Sequence, residues 1–127
     1  MLIIGSVLAA LAALLHVAIF AMESLSWTGE RTRAIFGTSL EEAQATHEMA
    51  LNQGFYNLFL SIIAGLGAIL TVSGARTTGP ALILAGTASM LAAALVLFCS
   101  SPGRRGAALK QGVLPLLSVA LVVLALI

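Results

Sequence analysis

Apolar residues fall along this chain in long blocks rather than in alternation. Four runs, about Leu2–Ser24, Met49–Ser73, Pro80–Ser100 and Gly112–Ile127, are separated by three short stretches that hold most of the charge. A bilayer core about 30 Å thick is crossed by about 20 helical residues at about 1.5 Å each. The first three runs reach that length. Counted from Gln111, the fourth has 17 residues, about 25 Å of helix, which spans only with little tilt or local thinning. The runs are rich in Leu and Ala and lack the two-residue period of a membrane strand. The pattern therefore predicts an all-α, integral membrane four-helix bundle forming one domain over residues 1–127. The predicted helices are about 2–24, 42–73, 80–100 and 112–127.

The stretches between the runs set the boundaries and the expected orientation. The first, 25–45, holds Glu30, Arg31, Arg33, Glu41 and Glu42; the second, 74–79, holds Arg76; the third, 101–111, holds Arg104, Arg105 and Lys110. In an up-and-down array the first and third share a side, with five Lys/Arg against one on the other. The excess of basic residues places that side in the cytoplasm and both termini outside. Ser39 followed by Glu42 reads as a capping box, so the second helix is expected to start near Leu40. Gly79-Pro80 marks the start of the third helix and Pro102-Gly103 its end. Thr28–Phe36, stopped by Gly37, predicts a short amphipathic helix on the cytoplasmic surface. Trp27 sits where an interfacial aromatic anchor belongs.

Composition strengthens this picture. The chain is 60% hydrophobic and 9% charged, whereas a soluble domain carries about 25% charged residues. A soluble core of this size could not hide so much apolar surface. A net charge of +1 with no basic stripe argues against nucleic-acid binding. Cys99 is alone, so no intrachain disulfide can form. Met1–Ser24 lacks the basic start of a signal peptide, and further apolar runs follow it.

Candidate chemistry lies in the few polar residues within the runs, because ionisable groups inside a bilayer are costly. His16, Glu23 and Trp27 are spaced by seven and four, which places them on one helix face. The second run opens with His47 and Glu48, then Asn52, Gln53, Gly54, Phe55, Tyr56 and Asn57. On a helical wheel Glu48, Asn52 and Tyr56 fall within about 80°, with Gly54, Ser61 and Gly65 opposite. That face of small residues would let a neighbouring helix approach closely. Antiparallel first and second helices would bring Glu23 and Glu48 to the same interface, where both would not readily ionise. The candidate intramembrane polar site is thus His16, Glu23, Glu48, Asn52, Gln53, Tyr56, Asn57 and Gln111. No metal and no cofactor are predicted, since two histidines and two carboxylates at this spacing match no ligand signature. The alternative to a site is structural: amides as glue between helices and Glu48 reaching headgroup water.

His16, Glu23 and Trp27, then Phe36-Gly37, the run Asn52-Gln53-Gly54-Phe55-Tyr56-Asn57, and Gln111-Gly112 ending at Pro115 together resemble the domain of unknown function 1304 family, small four-helix bacterial membrane proteins. The resemblance implies the fold and a location in the plasma (inner) membrane but no activity; His47 lies outside its pattern. Four functions remain open. The chain could bind or process a small lipophilic molecule in a cleft, with a carboxylate as acid or base. It could be a proton-coupled transporter built on Glu23, which at this size requires a homo-oligomer. It could hold a haem or metal ion, or serve as an accessory subunit of a larger partner. None of the familiar hydrolase or metalloprotease motifs is present.

Overall fold

The computed structural model describes residues 1–127 and is wholly helical. Helix α1 (Leu2–Phe20) continues into a π-helical turn, Ala21–Leu25. Two short helices follow, α2 (Glu30–Phe36) and α3 (Leu40–Ala45), then α4 (His47–Val72) and α5 (Thr78–Ser100). A 3₁₀ turn at Pro102–Arg104 leads into α6 (Arg105–Leu126). Four segments are long and apolar enough to cross a membrane: Leu2–Leu25, His47–Val72, Thr78–Ser100 and Pro102–Leu126. They pack in a ring, with α1 against α4, α4 against α5, α5 against α6 and α6 against α1. The chain is a multi-pass membrane protein.

The distribution of side chains agrees with lipid as the outer solvent. Small residues fill the interior: Ala9, Ala12 and Ala64 are fully buried. Large ones point outward, among them Ile4, Leu14, Ile62 and Ile69, each more than half exposed. Lipid tails are as apolar as leucine, so helices in a bilayer are held by close packing of small residues rather than by burial of large ones. Hydroxyls inside the bundle are satisfied locally. Ser6, Ser61, Thr71 and Thr87 each donate to the carbonyl four residues back, at 2.7–2.9 Å, so no bare hydroxyl is left in a medium without water.

Several local expectations are matched. The Ser39–Glu42 capping box is complete: the Glu42 N–H donates to Ser39 Oγ at 3.1 Å, and the Ser39 N–H to Glu42 Oε2 at 2.9 Å. Gly37 ends α2 with φ of 65°, a left-handed cap that glycine adopts without strain. Two boundaries differ from the sequence reading. The helix expected over 42–73 is interrupted at Thr46, whose backbone leaves helical geometry (φ −104°, ψ 8°), so the capped segment forms a separate turn, α3. The last helix begins at Arg105, not 112, because Arg105, Gly106 and Lys110 lie on exposed positions where charge costs a helix little. The fourth span is therefore 22 helical residues from Arg105, about 33 Å, and needs no thinning of the bilayer.

Candidate functional site

The two ends of the ring are held together by different seams. At the end carrying both termini and the 73–77 turn, α4 meets α5 with no room for a side chain. A Cβ on Gly67 would stand 2.5 Å from the Ile83 nitrogen and 2.9 Å from the Gly79 oxygen; one on Gly86 would stand 2.9 Å from the Ala64 nitrogen. There too α1 meets α6, where a Cβ on Gly5 would lie 2.8 Å from Val122 and Ser118 Oγ donates to the Gly5 carbonyl at 2.9 Å. At the other end, where the α1–α4 and α5–α6 connections lie, the tight seams are α1–α4 and α5–α6. Gly54 lies against Glu23 and Ser24, and Gly112 against Ala94. The bundle therefore splits at this end into two pairs of helices, and a cleft of about 510 Å³ opens between them. Beneath it Met90, Ala12, Ala13 and Ala64 pack into a layer shared with Leu60.

All four long helices contribute to this cleft: His16 and Glu23 from α1 and its π turn, Gln53, Tyr56, Asn57 and Leu60 from α4, Val96 and Leu97 from α5, and Gln111 from α6. Its walls are part polar and part apolar. Tyr56 and Val96 are each more than 65% exposed, which marks a lateral opening between α4 and α5. Arg104, Trp27 and Phe36 complete the mouth.

The position of Glu23 follows from the π turn. Such a turn widens the helix by one residue and re-aims the side chains on it. Consecutive residues Glu23 and Ser24 both reach α4 here. Glu23 Oε2 accepts from Asn57 Nδ2 at 2.8 Å, and Ser24 Oγ donates to the Leu51 carbonyl at 2.9 Å. Gly54 lies between these two bonds, where any side chain would collide with Ser24. The cost of holding Asn57 inside an apolar helix is thus offset by a charge-capable partner.

His16 is 2% exposed yet lines the cleft. Its Nδ1 lies 2.9 Å from the Ala12 carbonyl. A carbonyl can only accept, so Nδ1 carries a proton, and in the neutral ring Nε2 is then the acceptor nitrogen. Nε2 has no partner in the protein. Across the mouth, the Trp27 indole N–H donates to Thr46 Oγ1 at 3.1 Å, and its ring meets Phe36 edge to face with centroids 5.1 Å apart. Thr46 in turn donates to the Glu42 carbonyl at 2.7 Å. The interruption at Thr46 therefore ties the first connection to the mouth. Outside the cleft, Glu42 is held below its ordinary acidity range, first by the Ser39 N–H and hydroxyl and also by the charge of Arg104.

Of the residues singled out from sequence, His16, Glu23, Gln53, Tyr56, Asn57 and Gln111 share this cleft. Glu48 and Asn52 do not. Both are exposed, and Asn52 Nδ2 bonds back to the Glu48 carbonyl of its own helix at 3.2 Å. The expected pairing of Glu48 with Glu23 is corrected by the wheel: Glu48 lies nine residues before Asn57, about 180° away at about 100° each. The cleft-facing sector is the one holding Asn57, Gln53, Leu60 and Tyr56. The Gly54, Ser61 and Gly65 face meets α1, with Gly65 opposite Ala13. Arg104 and Ser100 were not singled out as site residues; they follow Pro102-Gly103 or precede it, and only the tight turn there brings them over the cleft. Pro115 adds a further feature, since it offers no N–H to the carbonyl of Gln111 four residues back.

Both the fold and the polar residues can be set beside known proteins. The sequence profile of the protein of unknown function DUF1304 family matches residues 10–123. The chain belongs to the DUF1304 family. The match runs through His16 and Glu23 to Gln111 and Pro115, so every residue named in the cleft lies within the DUF1304 region. No curated protein and no solved structure matches the chain.

Proposed function

We propose that this DUF1304 protein binds a small lipophilic molecule, with its polar group among His16, Glu23, Asn57, Gln53 and Gln111 and its apolar part along Leu60, Val96 and Leu97. One observation carries the reading: a buried histidine with an unpartnered nitrogen and a carboxyl with one side-chain partner line the cleft between the two helix pairs. A purely structural role for these groups predicts their mutual satisfaction, as with the hydroxyls elsewhere in the bundle. The lateral opening beside Tyr56 suits entry from the bilayer. A Glu and a His at the head group also make this a place where a proton could be exchanged with a ligand. The layer of Met90 and the alanines closes the inner end of the cleft, which favours binding or processing over passage through one bundle. The excess of Arg and Lys beside the mouth, Arg31, Arg33, Arg104, Arg105 and Lys110 against Arg76, favours a mouth on the cytoplasmic side of the plasma membrane.

Native mass spectrometry of protein extracted in mild detergent tests the reading. Wild type is expected to retain a small molecule that Glu23→Gln releases while melting within about 1 kcal/mol of wild type, because Gln still accepts from Asn57. A bare wild-type protein, with Glu23→Gln unchanged in mass, melting and cellular phenotype, would contradict it.

A further inference from the structure

Resting on that reading, the hydrogen-bond directions in the cleft specify which head group it takes. At its deep end most of the free valences are acceptors. His16 uses its one ring proton on Ala12, which leaves the Nε2 lone pair. Glu23 accepts from Asn57 through Oε2, and its other oxygen keeps its lone pairs. Asn57 gives one amide N–H to Glu23, and its Oδ1 remains as an acceptor. Two donors beside these groups are already engaged, and the free ones, the Gln53 and Gln111 amides and the Tyr56 hydroxyl, are uncharged and each carries an acceptor of its own. The Trp27 N–H goes to Thr46, and the Ser61 hydroxyl to the Asn57 carbonyl. The one cation at the cleft, Arg104, stands at the exposed mouth, where its field is shared with Glu42. Three acceptors from three positions on α1 and α4, one of them a carboxyl, with apolar walls beyond, form a receptor for a donor.

We infer that the cleft binds lipophilic molecules whose head group is a multiple hydrogen-bond donor, a primary ammonium above all. An ammonium has three N–H donors and no acceptor, the complement of a site whose His16 Nε2, Glu23 and Asn57 Oδ1 are left to accept. A carboxylate or phosphate head would set its own lone pairs against those of Glu23 and His16 and find only uncharged donors, and a quaternary ammonium would meet Glu23 by charge but leave His16 and Asn57 unpaired.

The protein supplies its own reporter, because Trp27 is its one tryptophan and lines the mouth. The protein is placed in nanodiscs of zwitterionic lipid, and Trp27 emission is followed on addition of decylamine, decyltrimethylammonium or decanoate. Decylamine is expected to bind saturably, about tenfold or more tighter than decyltrimethylammonium, as loss of hydrogen bonds to buried or charged groups predicts. Glu23→Gln and His16→Leu should each weaken it about tenfold, while Glu48→Gln, outside the cleft, leaves it unchanged. Should His16→Leu fail to fold, Glu23→Gln and the probe comparison still decide. Tighter saturable binding of decanoate, or equal saturable binding of both cations, would overturn the head-group inference while leaving the binding cleft intact. Linear, unsaturable signals from all three probes, together with a bare native mass, would overturn both.

Discussion

The two halves of this bundle are built from the same few residue types and behave oppositely. In the half bearing the termini, Gly67, Gly79 and Gly86 let α4 and α5 touch backbone to backbone, and Gly5 does the same for α1 and α6. In the half bearing the longer connections, glycine is used on the other two seams, at Gly54 and Gly112, and the helices part between them. Polar side chains follow the split. The closed half holds hydroxyls that bond to carbonyls, whereas the open half holds a histidine, a carboxyl and amides. Where no hydrophobic force presses helices together, the positions of small residues decide which seams close. A cleft can then be maintained by choosing seams, without a rigid frame of large side chains.

A graded series would break this comparison if the two halves were equivalent. Gly67→Val drives a branched side chain into the Ile83 backbone and should cost about 3 kcal/mol. Ser118→Ala removes one hydrogen bond between α6 and α1 and should cost about 0.6 kcal/mol. Val96→Ala, at the lip of the cleft and 67% exposed, should leave stability unchanged. Unfolding of the reconstituted protein by sodium dodecyl sulfate checks the order. A Val96→Ala protein as damaged as Gly67→Val would mean that the lip is packed, not open.

A smaller effect concerns the connection that leans on the mouth. Glu42 is held below the usual 4.5 by the Ser39 N–H and hydroxyl. A carboxyl so lowered contributes stability that is complete above pH 4.5 and disappears as pH falls through the lowered value. Hydrogen exchange, corrected for intrinsic rates, should therefore show residues 39–45 losing protection below pH 4.5, while residues 61–71 in the closed half stay protected. Uniform protection of 39–45 far into acid would show that the capping box contributes nothing.

Much of this molecule was legible before its structure. Run lengths identify the spans, Ser39 with Glu42 marks the start of α3, and Gly37 ends α2. The pairing of Glu23 with Asn57 was foreseeable only as neighbourhood. Its geometry depends on the π turn at Ala21–Leu25, a backbone choice made by packing on Gly54 that no propensity announces. Glu48 and Asn52 enter the sequence reading because they share a polar helical sector with Tyr56. Only Tyr56 of that sector reaches the lip of the cleft; Glu48 and Asn52 face out, and the inward sector holds Gln53 and Asn57 with the apolar Leu60. Charge marked 101–111 as a connection, yet charged residues on exposed helical positions near an interface do not break a helix, so α6 starts at Arg105.

The most direct test of an open half and a closed half is chemical access. In a Cys99→Ser background, single cysteines are placed at Gln111 and Asn57 in the cleft and at Ser118 and Ala64 in the closed half. Each protein, in nanodiscs, is treated with a charged, membrane-impermeant methanethiosulfonate. Gln111→Cys and Asn57→Cys are predicted to react at rates near those of exposed thiols, and Gln111→Cys to be protected by decylamine. Ser118→Cys and Ala64→Cys are predicted to stay unmodified. Equal silence at all four positions would mean that the cleft is shut and that its polar groups only hold the helices together.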